Sequence, residues 1–267
     1  LPSYTVPTGL TAGYGQTLGD VSLPPGFSWE EPASTPVGAV GANNFTVTYT
    51  PSDTVTYATV TGIQVGVTVS PATITGITVT PYGGDYDGAA HAAAIVSGTL
   101  AGDAVTYSTD GATCTGTMPQ FTAAGSYSVY VQVQRANHQT WLSGAVDVTI
   151  AKAAQRLSGT DTYRKKTTDA EFVLNAASDL ADAVVSYRLV SGEAVSVTAE
   201  GTVTVKQRGD ALIRVTANEN ANYLSATMDI TVHVTAPPIM TISAPLFAEG
   251  AITVSGAVHK TDYNFDA

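Results

Sequence analysis

The feature that most constrains this chain is a pattern that occurs three times. Phe45-Thr-Val-Thr-Tyr49, a polar turn, Tyr57 and Val65-Gly-Val-Thr-Val69 are followed by Ser-Pro-Ala. Tyr127-Ser-Val-Tyr-Val131, a turn holding Asn137 and His138, Trp141 and Val146-Asp-Val-Thr-Ile150 are followed by Ala-Lys-Ala. Leu212-Ile-Arg-Val-Thr216, a turn holding Asn218, Asn220 and Asn222, Tyr223 and Ile230-Thr-Val-His-Val234 are followed by Thr-Ala-Pro. The last strands end 81 and 84 residues apart (150 − 69 and 234 − 150). A period of that length suits one small sandwich per repeat.

Within these runs apolar residues alternate with polar ones. Val146, Val148 and Ile150 fall on one side and Asp147 and Thr149 on the other, the period of a sheet with one wet face. Val195, Val197, Val203 and Val205 around Glu200-Gly201 predict a hairpin over about 194–206. Only 12% of residues are charged, against about 25% in an average soluble domain. Their place is taken by Thr, Val, Ala, Gly and Ser, and the β-branched residues suit a pleated surface better than a helix. The stretch Thr168 to Asp182 has too few apolar positions for more than one helical turn.

The expected fold is therefore all-β: tandem immunoglobulin-like β-sandwich modules arranged as an elongated rod. The expected divisions are 1–70, 71–152 and 153–235, with 236–267 a linker and either a partial fourth module or docked strands. Pro237-Pro238 closes the third module, because prolines cannot donate to a ladder. Strand-like runs follow at Ile239 to Ile242 and Ala251 to Val254. Connections of two or three residues predict a stiff chain of modules.

Eleven basic against twenty-two acidic residues give a net charge of −11, which opposes phosphate backbones and anionic membranes. Nucleic acid is not expected as a partner. Every apolar run is broken well short of the roughly 18 residues of a spanning helix, so membrane insertion is not expected either. The single cysteine, Cys114, permits no internal disulfide and reads as a small half-buried filler. Leu1-Pro2-Ser3 carries no basic or apolar leader, so any signal peptide is expected to be absent or cut away and the chain reads as an excised segment; a soluble monomer is expected.

Three stretches resemble bacterial surface repeats. Tyr14-Gly-Gln-Thr-Leu18, Leu23-Pro-Pro-Gly-Phe27, Trp29, Phe45 and Tyr49-Thr-Pro-Ser-Asp53 are similar to a clostridial-type cell-wall repeat. Tyr86-Asp-Gly88, His91, Val105-Thr-Tyr-Ser-Thr-Asp-Gly111 and Phe121-Thr-Ala-Ala-Gly-Ser-Tyr127 resemble the YDG/MBG-type module. Gly159-Thr-Asp-Thr-Tyr163, Val203-Thr-Val-Lys206 and Ile213 to Val234 resemble the group 2 bacterial immunoglobulin-like module. Together they cover about residues 2 to 235. The resemblance implies a stalk or adhesin region of a secreted or cell-surface protein associated with a cell wall, and it supplies no catalytic residues.

Chemistry-bearing residues are sparse. His91, His138, His233 and His259 are scattered, and none stands four residues from another as a helical zinc site requires. Asp85 and Asp87 flank a glycine-rich turn without the run of oxygen ligands a calcium loop needs. Glu30 and Glu31 are sequence neighbours, which on a strand point to opposite faces, unlike a glycosidase pair. Lys152 with Asn218, Asn220 or Asn222 and Glu171 is the one set from which an isopeptide crosslink could be imagined, and Asn44-Phe-Thr46 fits a glycosylation sequon. Trp141 takes the place of Tyr57 and Tyr223 in the repeat and reads as structural. Trp29 has no such equivalent, follows Pro-Pro-Gly-Phe-Ser on an expected loop, and is the one candidate ligand contact. No catalytic, cofactor or metal residues are expected. The leading reading is a non-catalytic structural spacer; the alternative is an adhesin or carbohydrate-binding module for glycans or host extracellular glycoproteins.

Overall fold

The computed structural model describes residues 1–238; the strand-like runs expected at 239–242 and 251–254, and His259, lie outside the described residues. The chain forms two compact units. One comprises Leu1–Gly84 with Gly88–Ile150, the other Asp85–Asp87 with the described residues from Ala151 onward. The described residues are almost wholly strand, turn and loop. Their one helical element is a 3-10 turn, Leu18–Asp20, in which the Asp20 carboxylate accepts from the backbone N–H of Thr17 at 2.8 Å.

Strand pairings fall into three sets. The first is β1 (Leu10–Gly13), β2 (Phe27–Trp29), β3 (Gly41–Tyr49) and β4 (Val60–Ser70), joined in the order β1-β4-β3-β2 with β1 parallel to β4. On β4, Ile63, Val65, Val67 and Val69 are buried while the residues between them are exposed, as an alternating apolar pattern dictates. Burying each such side chain contributes about 1.5–3 kcal/mol. Instead of a second sheet, the 3-10 turn and the loop up to Val37 cover the apolar face, placing Leu18, Val21 and Val37 against Val47 and Val67.

The second set comprises β5 (Thr78–Pro81), β6 (Gly83–Asp85), β7 (His91–Ala92), β8 (Ala94–Ser97), β9 (Ala104–Ser108), β10 (Gln120–Phe121), β11 (Gly125–Gln134), β12 (Trp141–Leu142) and β13 (Val146–Ala151). One sheet runs β6-β13-β11-β9, with β12 also on β11; facing it are the pairs β5-β8 and β7-β10. The Tyr127 hydroxyl, near the start of β11, donates to the Ala123 carbonyl at 2.8 Å, the tyrosine-corner arrangement of immunoglobulin-like sandwiches.

The third set comprises β14 (Leu157–Ser158), β15 (Thr162–Lys166), β16 (Phe172–Val173), β17 (Ala177–Ser178), β18 (Val185–Ser191), β19 (Val195–Val197), β20 (Thr202–Val205), β21 (Gly209–Ala217) and β22 (Ala226–Thr235). Its sheets are β15-β22-β21-β18, with β15 parallel to β22, and β16-β20-β19, with the pair β14-β17 beside them. Tyr187, Val195, Val203, Ile213, Val215, Ile230 and Val232 meet in the core between them. The expected hairpin is present, with Val195 opposite Val205 and Val197 opposite Val203. The stretch 168–182 holds the two short strands β16 and β17, not a helical turn.

Each set has its own sheet in which the last strand lies between a short strand and its antiparallel partner, and in the first and third sets that short strand is parallel to it. In the third set the second sheet carries β16, β20 and β19, with β14 and β17 paired separately, a two-sheet division like that of an immunoglobulin-like sandwich. The fold is all-β and immunoglobulin-like, as the alternation predicts.

Candidate functional site

The most elaborated polar constellation in each unit lies where the segment leading into a strand set meets the turn before that set's last strand. In the first unit Ala72, two residues past β4, forms an isolated parallel bridge with His138. The Ala72 N–H donates to the Asn137 carbonyl at 3.1 Å, and the Gln139 N–H donates to the Ala72 carbonyl at 2.8 Å. An extended residue thus gains a two-bond partner outside any sheet.

The receiving turn is shaped by its own residues. Asn137 has φ +61°, a left-handed conformation that asparagine tolerates better than most residues. Its side-chain Oδ1 accepts the Val40 N–H at 3.0 Å. His138 donates its backbone N–H to the Arg135 carbonyl at 3.1 Å. Arg135 is gripped by Asp103 through Nε to Oδ1 at 2.7 Å and Nη2 to Oδ2 at 2.8 Å. That bidentate pair, with a further N–H from Leu100, holds the Asp103 carboxyl at about 2, below the usual carboxylate range. Tyr14 completes the arrangement by meeting the His138 ring edge-on.

The second unit repeats the device. Ala153, two residues past the end of β13, bridges Tyr223 in parallel. Its N–H donates to the Asn222 carbonyl at 2.9 Å, and the Leu224 N–H donates to its carbonyl at 2.9 Å. Here Asn220 shapes the turn, its Oδ1 accepting the N–H groups of Asn222 and Tyr223, both at 2.9 Å. The buried Gln155 amide donates to the carbonyls of Asn218 and Leu224 at 2.9 and 2.7 Å, satisfying groups that would be costly to leave unpaired. Tyr86 meets the Tyr223 ring edge-on.

The residues singled out in the sequence occupy varied places. Trp29 lies on β2 and not on a loop; it is half-buried, its ring edge-on to Phe45 and its Nε1 donating to the Val21 carbonyl at 3.4 Å. Glu30 accepts from the Thr48 hydroxyl at 2.9 Å and from the Gly62 N–H, and Glu31 accepts from the Thr46 hydroxyl at 2.9 Å. These bonds hold the Glu30 carboxyl below its ordinary value, the Gly62 N–H contributing most. Trp141 sits on β12 opposite Val133 and packs against Ile74 and Val131; the bridging place in the second set belongs to His138. His91 stacks on Tyr82 with ring centroids 4.2 Å apart, and His233 Nδ1 lies 2.7 Å from Asp210 Oδ1. Lys152 pairs with Glu219 at 3.3 Å on the surface, outside the apolar core that a crosslink requires. Cys114 is exposed and not half-buried, because it follows the Asp110 turn instead of lying on a strand. Among the described residues no three His, Cys, Asp or Glu side chains gather as a metal site would need.

Two shallow depressions are present. One, of about 220 Å³, is lined by Tyr82, Ala94 and Ile95 among others; the other, of about 340 Å³, by Leu189, Gly192, Glu193 and Lys206 among others. Both fall at or below the low end of small-molecule sites.

No protein-family model matches the chain, so none of the three repeat families it resembles is identified by one, and no curated protein matches it. Solved structures of tandem β-domains do match. A titin I-band fragment, I67-I69, is 12% identical over 80% of this chain and 84% of its own, with a TM-score of 0.31. Drosophila N-cadherin EC1-4 is 14% identical over 78% of this chain and 66% of its own, with a TM-score of 0.27. A SusE-like surface-located polysaccharide-binding protein from Bacteroides thetaiotaomicron is 14% identical over 65% of this chain and 36% of its own, with a TM-score of 0.27. At such TM-scores the likeness carries no argument, and the fold assignment rests on the strand pairings of this chain.

Proposed function

We propose that the chain is a non-catalytic spacer region of a secreted or cell-surface bacterial protein, with the modules 1–70, 71–152 and 153–235 in series. The observation that carries this reading is the lead-in clamp. One residue, Pro71 or Lys152, separates a strand end from the bridging alanine, which leaves the connection little slack and suits a part whose task is to hold a distance. The carboxylates and imidazoles support a non-catalytic role as well. Glu30 and Glu31 accept from hydroxyls and a backbone N–H, Asp103 and Asp229 pair with arginines, and His233 bonds to Asp210, all within the scaffold.

Small-angle scattering of the whole chain tests the spacer. A compact body of this length has a radius of gyration of about 18 Å; the spacer requires a value well above that, and a value at the compact limit would overturn it. The glycan-binding alternative needs an open indole face. It is tested by screening the chain and a Trp29→Ala variant against glycans and matrix glycoproteins, where a hit lost in the variant would favour binding over spacing.

A further inference from the structure

The clamp has a fixed register. In both units the bridging residue lies fourteen positions before the residue whose N–H binds the carbonyl of the final residue in the last strand of a set. Tyr86 donates to Ala151 at 2.8 Å and follows Ala72 by 86 − 72 = 14; Thr167 donates to Thr235 at 3.0 Å and follows Ala153 by 167 − 153 = 14. In the first set the corresponding donor is Tyr14, bound to the Ser70 carbonyl at 2.9 Å. Its bridging place therefore falls on the position immediately ahead of Leu1.

The matching turn of the first set is already formed. His138 stands twelve residues before Ile150 (150 − 138), and Tyr57 stands twelve before Val69 (69 − 57). Asp53 Oδ1 accepts the N–H groups of Val55 and Thr56 at 3.1 and 3.0 Å, a side-chain-closed turn like that of Asn220 but set one residue further ahead of its aromatic, four residues before Tyr57 where Asn220 stands three before Tyr223. Yet Val55 is 96% exposed and Tyr57 42% exposed, whereas His138 and Tyr223 are half-buried under a tyrosine. Among the described residues the Ala58 N–H makes no hydrogen bond.

We propose that the turn Val55–Ala58 is a docking surface for a β module of this same kind joined directly ahead of Leu1. Such a module would place an extended residue two positions past its last strand against Thr56 and Ala58, and a tyrosine equivalent to Tyr14 or Tyr86 edge-on to Tyr57. The bridging residue must carry an N–H. Docking at this turn is independent of whether the modules serve as a spacer, because it follows from register and turn geometry alone.

The test duplicates residues 1–72 ahead of Leu1 in the full chain, so that the duplicate's Ala72 takes the bridging place and its Tyr14 falls over Tyr57. Hydrogen exchange at the original Ala58 N–H is then compared with that in the unextended chain. Slowing by about tenfold or more is expected, with part of it lost when the duplicate carries Ala72→Pro, which deletes the donor. Unchanged exchange at Ala58, with the duplicate's own β3 and β4 amides protected, would overturn the proposal. A second variant carries only Ser-Pro-Ala ahead of Leu1 and supplies the backbone bridge without requiring the duplicate to fold. Slower exchange at Ala58 is expected there too, and no change overturns the backbone bridge.

Discussion

Tyr14 meets the edge of the His138 imidazole with ring centroids 5.4 Å apart and planes at 67°. The same relation joins Tyr86 to Tyr223, at 5.3 Å and 81°. Tyr14 and Tyr86 are equivalent, since each donates its backbone N–H to the carbonyl of the final residue in the last strand of a set. Edge-on aromatic pairs contribute about 0.5–1.5 kcal/mol beyond their buried area. The ring contact and the backbone bridge act on the same turn from two directions.

The bridge itself can be weakened at one atom. Ala72→Pro removes the N–H given to Asn137 while leaving the Ala72 carbonyl available to Gln139. A loss of about 1 kcal/mol is expected in denaturant unfolding, with faster hydrogen exchange at Gln139. Ala72→Ser, which keeps the N–H, should leave both nearly unchanged.

Asn137 has two separable roles. Asn137→Ala loses the bond to Val40 and strains a left-handed position, for a combined cost of about 2 kcal/mol. Asn137→Gly loses only the bond, so it should be the milder variant by about 1 kcal/mol. Equal losses in the two unfolding curves would show that the backbone conformation at 137 carries no strain.

Acid should act on the turn through Asp103. Its carboxyl is held at about 2 by Arg135 first and by the Leu100 N–H second. A depressed folded value stabilises above the unfolded carboxylate value of about 3.9, and that stabilisation fades as pH falls toward 2. Asp103→Asn should therefore lower stability at neutral pH and flatten its decline between about pH 4 and 2. Thermal unfolding across that range, monitored in the first unit, checks both points.

Two glycines separate conformational cost from steric cost. Gly62 has φ +71° with open space where a Cβ would sit, while Gly192 has φ +87° and a Cβ there would overlap the Asp210 carbonyl. Gly62→Ala should cost about 1 kcal/mol. Gly192→Ala should cost well beyond 2 kcal/mol, because β21 must shift. Chemical denaturation of both variants is the measurement.

Trp29 is an anchor for the short strand β2. Trp29→Phe keeps a ring against Phe45 but loses the bond to the Val21 carbonyl, and about 1 kcal/mol is expected. Trp29→Ala loses the packing as well, and about 2–3 kcal/mol is expected for a half-buried indole. A variant with unaltered stability would show that the ring is free of the core.

The alternation of Val146, Val148 and Ile150, and of Ile230, Val232 and Val234, determined by itself that the chain is built of strands with one buried face, since side-chain direction reverses at every residue. The threefold recurrence likewise determined the repeat, and the alternation around Glu200-Gly201 determined the hairpin at Val195–Val205. Local pattern could not show that the first set would close its core with Leu18, Val21 and Val37 on loops, because such a loop has no period. Nor could it show that Trp29 would lie half-buried on β2, or that His138 and not Trp141 would bridge to Ala72. The Asn-rich turns were visible, but their purpose was not. The Ala72–Asn137 and Ala153–Asn222 contacts join residues more than sixty positions apart through backbone atoms that every sequence carries, so only the tertiary structure decided which of them would meet.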